Sequence, residues 1–274
     1  MNSATARMKA LGLALLLSLA MPGMVRAAVA PVVFQSTETP PFWSASLPDN
    51  GLGGELLSLL SEAAGLPHRL EYLPVARFRS SLAPYIVGDP DILISKEHRA
   101  IFPLCVFRAA FFFYKPHHEA LEFRGIESLK GHTMGVLRGT VDDRDYFIRH
   151  GISIEESDSN ESLLKKLHKG RLDFAILVDM TGIYTIKKLF PNEQDNFAQA
   201  AIPGSARPIA AMVDLSAPEG RAIAARYRQV INKTLRSQKH RDILERYLGA
   251  GKIPPDTFEI LEKYIKFYET TWAE

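Results

Sequence analysis

The chain has 274 residues, of which 46% are hydrophobic and 23% charged, proportions typical of a globular protein and unlike those of disordered or collagen-like chains. Lys plus Arg number 33 against 31 Asp plus Glu, and a formal charge of +2 is too small for the basic field on which nucleic-acid binding relies. The single cysteine, Cys105, cannot form an internal disulfide or supply a thiolate metal cluster, which excludes disulfide-stapled and zinc-ribbon folds.

The first thirty residues indicate a secretory signal peptide. Arg7 and Lys9 precede an uncharged stretch over residues 10–25, which small residues follow. This stretch is shorter than the about 20 residues that a membrane-spanning helix needs. We expect cleavage after Ala27, which would remove three cations, change the formal charge from +2 to −1 and leave a soluble, exported protein.

Apolar, β-rich runs alternate with helical periodicity in the first part of the expected mature chain. Strands are predicted over residues 32–34, 69–73 and 91–94, and a helix over residues 55–64 that Gly65 ends. The third of these strands is an unbroken apolar run, which is typical of a parallel sheet buried on both faces. The order of elements therefore predicts βαβ units.

The same alternation starts again at residue 132. Strands are predicted over residues 132–137 and 174–178, and a helix between them begins at a cap, Asn160, and ends at Gly170. Residues 217–248 are mostly helical, and Pro254-Pro255 begins a last amphipathic helix. No period of 20 to 50 residues recurs, which excludes a solenoid. The sequence thus predicts an α/β protein of two lobes.

The motifs that identify common enzyme and cofactor-binding classes are absent from the sequence, among them GxSxG, GxxxxGK and HExxH. A glycine-rich turn over residues 51–54 opens a helix, but Leu56 stands where the dinucleotide fingerprint has its last glycine. His117 and His118 are adjacent, and neighbouring residues of a strand point to opposite faces, so they cannot share one ion. We expect no cofactor and no metal.

Several short segments resemble, in order along the chain, the landmarks of the extracytoplasmic solute-binding proteins of family 3. They are TPPFW (39–43), NGLGGELL (50–57), LPVAR (73–77), DILIS (91–95) up to Arg99, GT (139–140) and GRLDFA (170–175). The resemblance implies the type 2 periplasmic binding protein fold, in which two α/β lobes are joined by two crossover strands and close on a small ligand.

The resemblance also implies where the lobes divide. We expect the chain to cross between lobes near residues 112–117 and 202–212. The first lobe would then be discontinuous, comprising residues 28–114 and 210–274, and the second lobe would comprise residues 115–209.

The first lobe supplies a candidate carboxylate-binding residue. Arg99 stands where amino-acid-binding members keep an arginine for the ligand's α-carboxylate, which a planar guanidinium grips through two parallel hydrogen bonds. The alternative is a surface salt bridge to Glu97 or another acid. Ser95, at the end of the DILIS segment, belongs to the same expected site. Lys96 stands where these members usually carry threonine, a difference that favours a ligand other than an ordinary α-amino acid.

The second lobe supplies two more candidates. Thr140, after Gly139, corresponds to the residue whose hydroxyl and backbone N–H complete the carboxylate pocket, and a plain turn is the alternative. Asp179 follows the predicted strand 174–178 at its C-terminal end, where open α/β sheets place ligands, and it could accept hydrogen bonds from a ligand amine. The alternative for Asp179 is a cap for the helix that follows.

Aromatic and basic residues complete the candidate site. Phe42 and Trp43 resemble the aromatic wall on which ligands lie, where rigid rings give contact area at little entropic cost, and we expect one of the two to pack inward. Arg77 is a second candidate anion contact, with a structural ion pair as its alternative.

Two classes of function remain open. The first is a periplasmic, monomeric solute-binding protein that captures a small polar ligand, amino-acid-like or carboxylate-bearing, for an inner-membrane ABC permease or a sensor. The alternative is a periplasmic enzyme on the same fold, similar to the cyclohexadienyl dehydratases, in which Asp179 or Glu38 would protonate a leaving hydroxyl. Fold alone does not decide between them.

Overall fold

The computed structural model describes residues 30–74, 77–78, 81–92, 98–117, 124–141 and 143–270. The predicted signal peptide over residues 1–27 lies outside these residues. The elements described below belong to the unit that begins at Pro31.

The described residues form ten strands and seven α-helices. The strands are β1 (Val32–Ser36), β2 (His68–Tyr72), β3 (Tyr85–Gly88), β4 (Arg99–Phe107), β5 (Ala109–Tyr114), β6 (Thr133–Leu137), β7 (Ser153–Ser157), β8 (Phe174–Val178), β9 (Phe197–Ala201) and β10 (Arg207–Asp214). The helices are α1 (Gly51–Ala64), α2 (Arg144–Arg149), α3 (Asn160–His168), α4 (Asp179–Leu189), α5 (Gly220–Leu235), α6 (Gln238–Leu248) and α7 (Thr257–Glu269).

The strands form two five-stranded sheets, which we use to define two lobes. The first sheet has the order β2-β1-β3-β10-β4, and the helices α1, α5, α6 and α7 belong to its lobe. The second sheet has the order β7-β6-β8-β5-β9, and α2, α3 and α4 belong to its lobe. In each sheet three parallel strands are followed by one antiparallel strand, which is β10 in the first sheet and β5 in the second.

The chain passes between the sheets twice. It leaves the first sheet after Phe107, and Arg108 alone separates β4 from β5. It returns through residues 202–206, which join β9 to β10. The expected first crossing near residues 112–117 is therefore wrong, because hydrogen bonds to β8 and β9 place β5 in the second sheet. The second crossing falls inside the expected range, and the exact division into lobes stays a prediction.

Most predicted elements are confirmed, but the strand expected over residues 91–94 is wrong in the part that is described. Residues 90–92 form a 3₁₀ turn, and the strand between β1 and β10 is β3, which comes earlier in the chain. The Asp89 side chain accepts a hydrogen bond from the Asp91 backbone N–H at 2.8 Å, a local bond that favours a turn over a strand.

The predicted end of α1 is confirmed, whereas the start of α3 has a different cap from the predicted one. Gly65 ends α1 in the left-handed conformation with φ 64°, as the sequence predicts. Helix α3 begins at Asn160, but the cap is the residue before it, because the Ser159 Oγ accepts the Ser162 N–H at 3.1 Å.

Each lobe has an apolar core against its sheet. In the first lobe the core includes the inner faces of α1 and α5, with Trp43 and Tyr227 among its largest buried side chains. In the second lobe α3 buries three leucines, Leu163, Leu164 and Leu167, against one face of the sheet. Among the residues that the structure describes, no helix is long and apolar enough to span a bilayer.

Candidate functional site

The two sheets turn the C-terminal ends of their parallel strands toward the crossings. In the first sheet Gly88, the last residue of β3, lies opposite Ala210 near the start of β10, where the chain enters from the second crossing. In the second sheet Val178, the last residue of β8, lies opposite Ala109, the residue after the first crossing. Ligands of open α/β sheets bind beyond the carboxyl ends of the strands. The loops at these two edges therefore form the candidate site.

Arg99 lies at the wrong end of the first sheet for this site. It begins β4 and pairs with Asp214, the last residue of β10, whereas Phe107 at the other end of β4 pairs with Arg207 beside the crossing. The eight residue steps of β4 separate the two ends by about 26 Å. This position does not fit the expectation that Arg99 grips a ligand carboxylate between the lobes.

The Arg99 guanidinium instead holds the chain that leads into β3. It donates hydrogen bonds to the carbonyl oxygens of Ala83 at 2.9 Å and Pro84 at 3.4 Å. Burial lowers the pKa of Arg99, and the nearby Asp214 carboxylate acts in the opposite direction. These contacts stabilise the edge of the sheet that faces away from the crossings.

Ser95 and Lys96 lie outside the described residues, so their part in the site stays a prediction. Arg77 is described and exposed, in the segment between β2 and β3. Because β2 is parallel to β1, that segment leaves the first sheet at the edge that faces the crossings. Its role as an anion contact also stays a prediction.

Both predicted aromatic residues are buried. Trp43 is 1% exposed and packs on Gly53, where an added Cβ would lie 2.6 Å from the indole ring. Phe42 is 5% exposed and makes an edge-on contact with Phe107, with 6.0 Å between ring centroids. The expectation that one ring packs inward thus holds for both, and a role as a ligand wall stays a prediction.

Thr140 forms a turn after β6. Its hydroxyl donates to the Leu137 carbonyl at 2.7 Å, and its backbone N–H donates to the same oxygen at 3.1 Å. Gly139 has a φ of 73°, which the turn requires. Both donors that were expected to hold a ligand carboxylate are therefore used within the turn, which supports the plain-turn alternative, although the turn lies at the edge that faces the crossings.

Asp179 lies at the point where the second sheet meets the first crossing. It is 8% exposed, it is the first residue of α4, and its backbone N–H donates to the carbonyl of Arg108 at 2.8 Å. Its Oδ1 accepts the Met180 N–H at 2.7 Å. Met180 packs in the apolar core of the first lobe, so this helix start contacts both lobes.

The electrostatics of Asp179 are dominated by burial. Burial raises the pKa of its carboxyl, and this outweighs the backbone N–H groups and the charge of Arg108, which act to lower it. A cation supplied by a ligand would favour the ionised form. The arrangement can therefore bind an amine or, in the protonated form, donate a proton.

Sequence reasoning missed Arg108. Its side chain is 9% exposed although it carries a charge, and its Nη2 donates a 2.7 Å hydrogen bond to the Oδ1 of Asp256, the residue before α7. A signal was available, because Arg108 is the only charged residue between Arg99 and Lys115. A cation buried among apolar residues needs an anionic partner, and only the tertiary structure shows that this partner is Asp256.

Two cavities among the described residues lie away from this site. One of about 240 Å³ lies between α5, α6 and α7, and one of about 370 Å³ between α1 and α6. Both are on the helices of the first lobe. The site is identified by the strand ends and the crossings.

Comparison with known proteins shows the fold. No protein-family model and no curated protein matches the chain. Among solved structures, the second substrate-binding domain of GlnP from Lactococcus lactis, in an open conformation, is 14% identical with a TM-score of 0.59, and the match covers 81% of this chain and 96% of that one. ArtJ from Geobacillus stearothermophilus, a protein that binds arginine, lysine and histidine, is 17% identical with a TM-score of 0.55 over 85% of this chain and 99% of that one.

A third similar structure belongs to a different kind of protein. It is a histidine kinase sensor domain with similarity to periplasmic binding proteins, 18% identical with a TM-score of 0.56 over 80% of this chain and 96% of that one. At these identities the likeness defines the fold, which is the two-lobed α/β fold of the type 2 periplasmic binding proteins. The fold class that the sequence predicts is confirmed.

The position of Arg99 leads to a prediction about stability. Arg99→Ala removes two charge-assisted hydrogen bonds to carbonyls, so we expect it to lower the free energy of unfolding by about 1 to 2 kcal/mol. Urea unfolding measures this, with Arg69→Ala, which removes an exposed ion pair to Glu71, as the control. Affinity for a bound solute should change less than about twofold. A large loss of affinity at unchanged stability would restore Arg99 as a carboxylate clamp.

Proposed function

We propose that this protein is an extracytoplasmic solute-binding protein. It captures a small polar ligand, amino-acid-like or carboxylate-bearing, between its two lobes and presents it unchanged to an inner-membrane ABC permease or to a sensor. The single observation that carries the proposal is that both sheets turn the ends of their parallel strands toward the same two crossings. That arrangement gives a ligand two facing edges and a hinge.

The similar structures support a ligand of this class. GlnP has a substrate-binding domain and ArtJ binds arginine, lysine and histidine, whereas the third similar structure is a sensor domain. In this chain the nearly buried carboxylate of Asp179 suits an amine, and the distance of Arg99 from the crossings means that another group must hold any ligand carboxylate. We therefore propose an amine-bearing solute, and delivery to either a permease or a sensor fits the same site.

A thermal-shift screen tests the proposal. The chain lacking residues 1–27 is heated with L-amino acids, dicarboxylates, opines, polyamines and aromatic acids in turn. A solute present at a hundred times its Kd stabilises the native state by about 2.7 kcal/mol, which for a chain of this size raises the midpoint by about 5 to 10 °C. The proposal predicts such a shift for one class, and a flat response to every class would contradict it.

Export is the second part of the proposal, and it carries its own prediction. The pattern of Arg7, Lys9 and the small residues before Ala28 predicts cleavage after Ala27 and release into the periplasm. Intact-mass measurement of protein from the periplasmic fraction should give the mass of residues 28–274. Periplasmic protein that still carried residues 1–27 would overturn this prediction.

One observation favours the enzyme as a second candidate. Burial raises the pKa of Asp179 at the edge that faces the crossings, and a protonated carboxylic acid there could protonate a leaving hydroxyl so that it departs as water. Incubation with prephenate tests this: as the hydroxyl leaves as water, the C–C bond to the ring carboxylate would break, CO2 would be released, and the aromatic product would absorb in the ultraviolet. Turnover that Asp179→Asn abolishes would replace the binding proposal, and no product with the wild-type protein would remove the candidate.

A further inference from the structure

The last helix of the first lobe contacts both crossings. At the first crossing, Asp256 at the start of α7 accepts a hydrogen bond from the Arg108 guanidinium at 2.7 Å. The Arg108 side chain is 9% exposed and that of Asp256 is 52% exposed. The carbonyl of Arg108 accepts the N–H of Asp179 in the second lobe. One residue therefore joins α7 of the first lobe to α4 of the second.

At the second crossing the same helix makes another hydrogen bond. Two turns into α7, the Tyr264 hydroxyl donates to the Ala206 carbonyl at 2.7 Å. Residue 205 connects this crossing to the first one, because the Ser205 Oγ accepts the Ala109 N–H at 3.1 Å and donates to the Ile202 carbonyl at 2.6 Å. The two crossings are thus bonded to each other as well as to α7.

Helix α7 is itself held firmly in the first lobe. Its Leu261 and Ile265 are buried in the first core cluster and its Tyr268 in a second cluster of the same lobe. A helix packed in this way moves with its lobe. A rotation of the second lobe that moves Arg108 or Ala206 relative to the first lobe would therefore strain the bonds that join these residues to α7.

We infer that α7 is a hinge brace, in which the Arg108–Asp256 ion pair and the Tyr264–Ala206 hydrogen bond set the balance between two arrangements of the lobes. The inference rests on the proposed function in two respects, namely that the lobes move and that one arrangement binds the ligand. Because a ligand is bound by one arrangement, the brace tunes apparent affinity from residues that lie outside the ligand site. This is a regulatory role for the C-terminal helix.

The test measures the distance between lobes in the absence of any ligand. Spin labels are placed on Ala63→Cys in α1 and Lys165→Cys in α3, two exposed positions in different lobes. Cys105 is fully buried and burial raises its thiol pKa, so it stays unlabelled. Double electron–electron resonance then gives the distribution of distances in the full mature chain.

Two conservative variants loosen the brace. Asp256→Asn removes the charge but keeps a side-chain oxygen that can accept a hydrogen bond at the start of the helix. Tyr264→Phe removes only the hydroxyl that donates to Ala206. The matched control is Glu262→Gln, on the same helix, which removes the charge from a 2.9 Å ion pair to Arg236, the residue after α5. The distance distribution reports the populations of the two arrangements of the lobes. We expect each brace variant to raise the population of the minor arrangement relative to the major one about 2- to 12-fold, with a larger rise in the double variant.

The outcomes separate the inference from the proposed function. A double variant whose distance distribution superimposes on that of the wild type, or a control that changes it equally, overturns the hinge brace. If the distances shift as expected but no solute of the screen binds, the brace stands and the solute-binding proposal fails.

Discussion

Trp43→Ala is expected to lower the free energy of unfolding by about 3 to 5 kcal/mol, because it removes a large side chain from a filled core. The indole is 1% exposed and contacts Gly53 of α1. A loss of this size is a large fraction of the about 5 to 15 kcal/mol that stabilises a typical domain. Urea unfolding measures this loss, with far-ultraviolet circular dichroism as the signal because it reports the backbone and does not depend on Trp43.

Leu82→Ala is the control for Trp43→Ala. Leu82 is 94% exposed, so its truncation should change the stability by less than about 0.5 kcal/mol. The comparison also separates two roles for Trp43. If Trp43→Ala left stability unchanged but weakened solute binding, the residue would be part of a ligand wall and its core role would be wrong.

Asp179→Asn is expected to weaken binding of an amine-bearing solute about 30-fold to several thousand-fold, which corresponds to the about 2 to 5 kcal/mol lost when one partner of a buried charge pair is removed. Asparagine keeps an oxygen for the Met180 N–H but has no charge. Because burial disfavours the ionised carboxyl, the unliganded variant should be as stable as the wild type or more so. Calorimetry with the solute found by thermal shift measures the affinity.

Asp173→Asn is a matched control for Asp179→Asn. Asp173 also accepts a backbone N–H, that of Thr133 at 2.6 Å, but it precedes β8 and so lies at the end of the second sheet away from the crossings. Its substitution should leave the affinity unchanged. Equal losses in the two variants would show that the effect comes from the stability of the lobe, and a full-affinity Asp179→Asn protein would remove Asp179 from the site.

Local sequence patterns predict most elements of this fold. Leucines at helical spacing and a terminal glycine predict α1, because burial on one face leaves a periodic pattern. The apolar run at residues 174–178 predicts β8, because a strand buried on both faces is apolar throughout. The prediction of a strand over residues 91–94 is wrong, because the pattern of apolar residues does not show the side-chain hydrogen bond that forms a turn there. The Asp89 side chain makes a turn there, and the less apolar segment before it pairs with β1 and β10.

The candidate site is less predictable than the fold. Asp179 follows a strand that is itself predictable, so its place at the sheet edge follows from the sequence. The resemblance places Arg99 in the site together with the DILIS segment at residues 91–95. In the structure the strand of the sheet is the earlier β3, and Arg99 begins β4 at the end of the sheet that faces away from the crossings. Contacts such as Arg108 with Asp256 join residues 148 positions apart, and no local pattern specifies them.

Small-angle X-ray scattering with and without the solute that gives the largest thermal shift tests the central claim most directly. Capture between two lobes predicts a smaller radius of gyration at saturation, and the same solute should be recovered chemically unchanged from the complex. Scattering curves that superimpose with and without solute, or recovery of an altered product, would contradict the account.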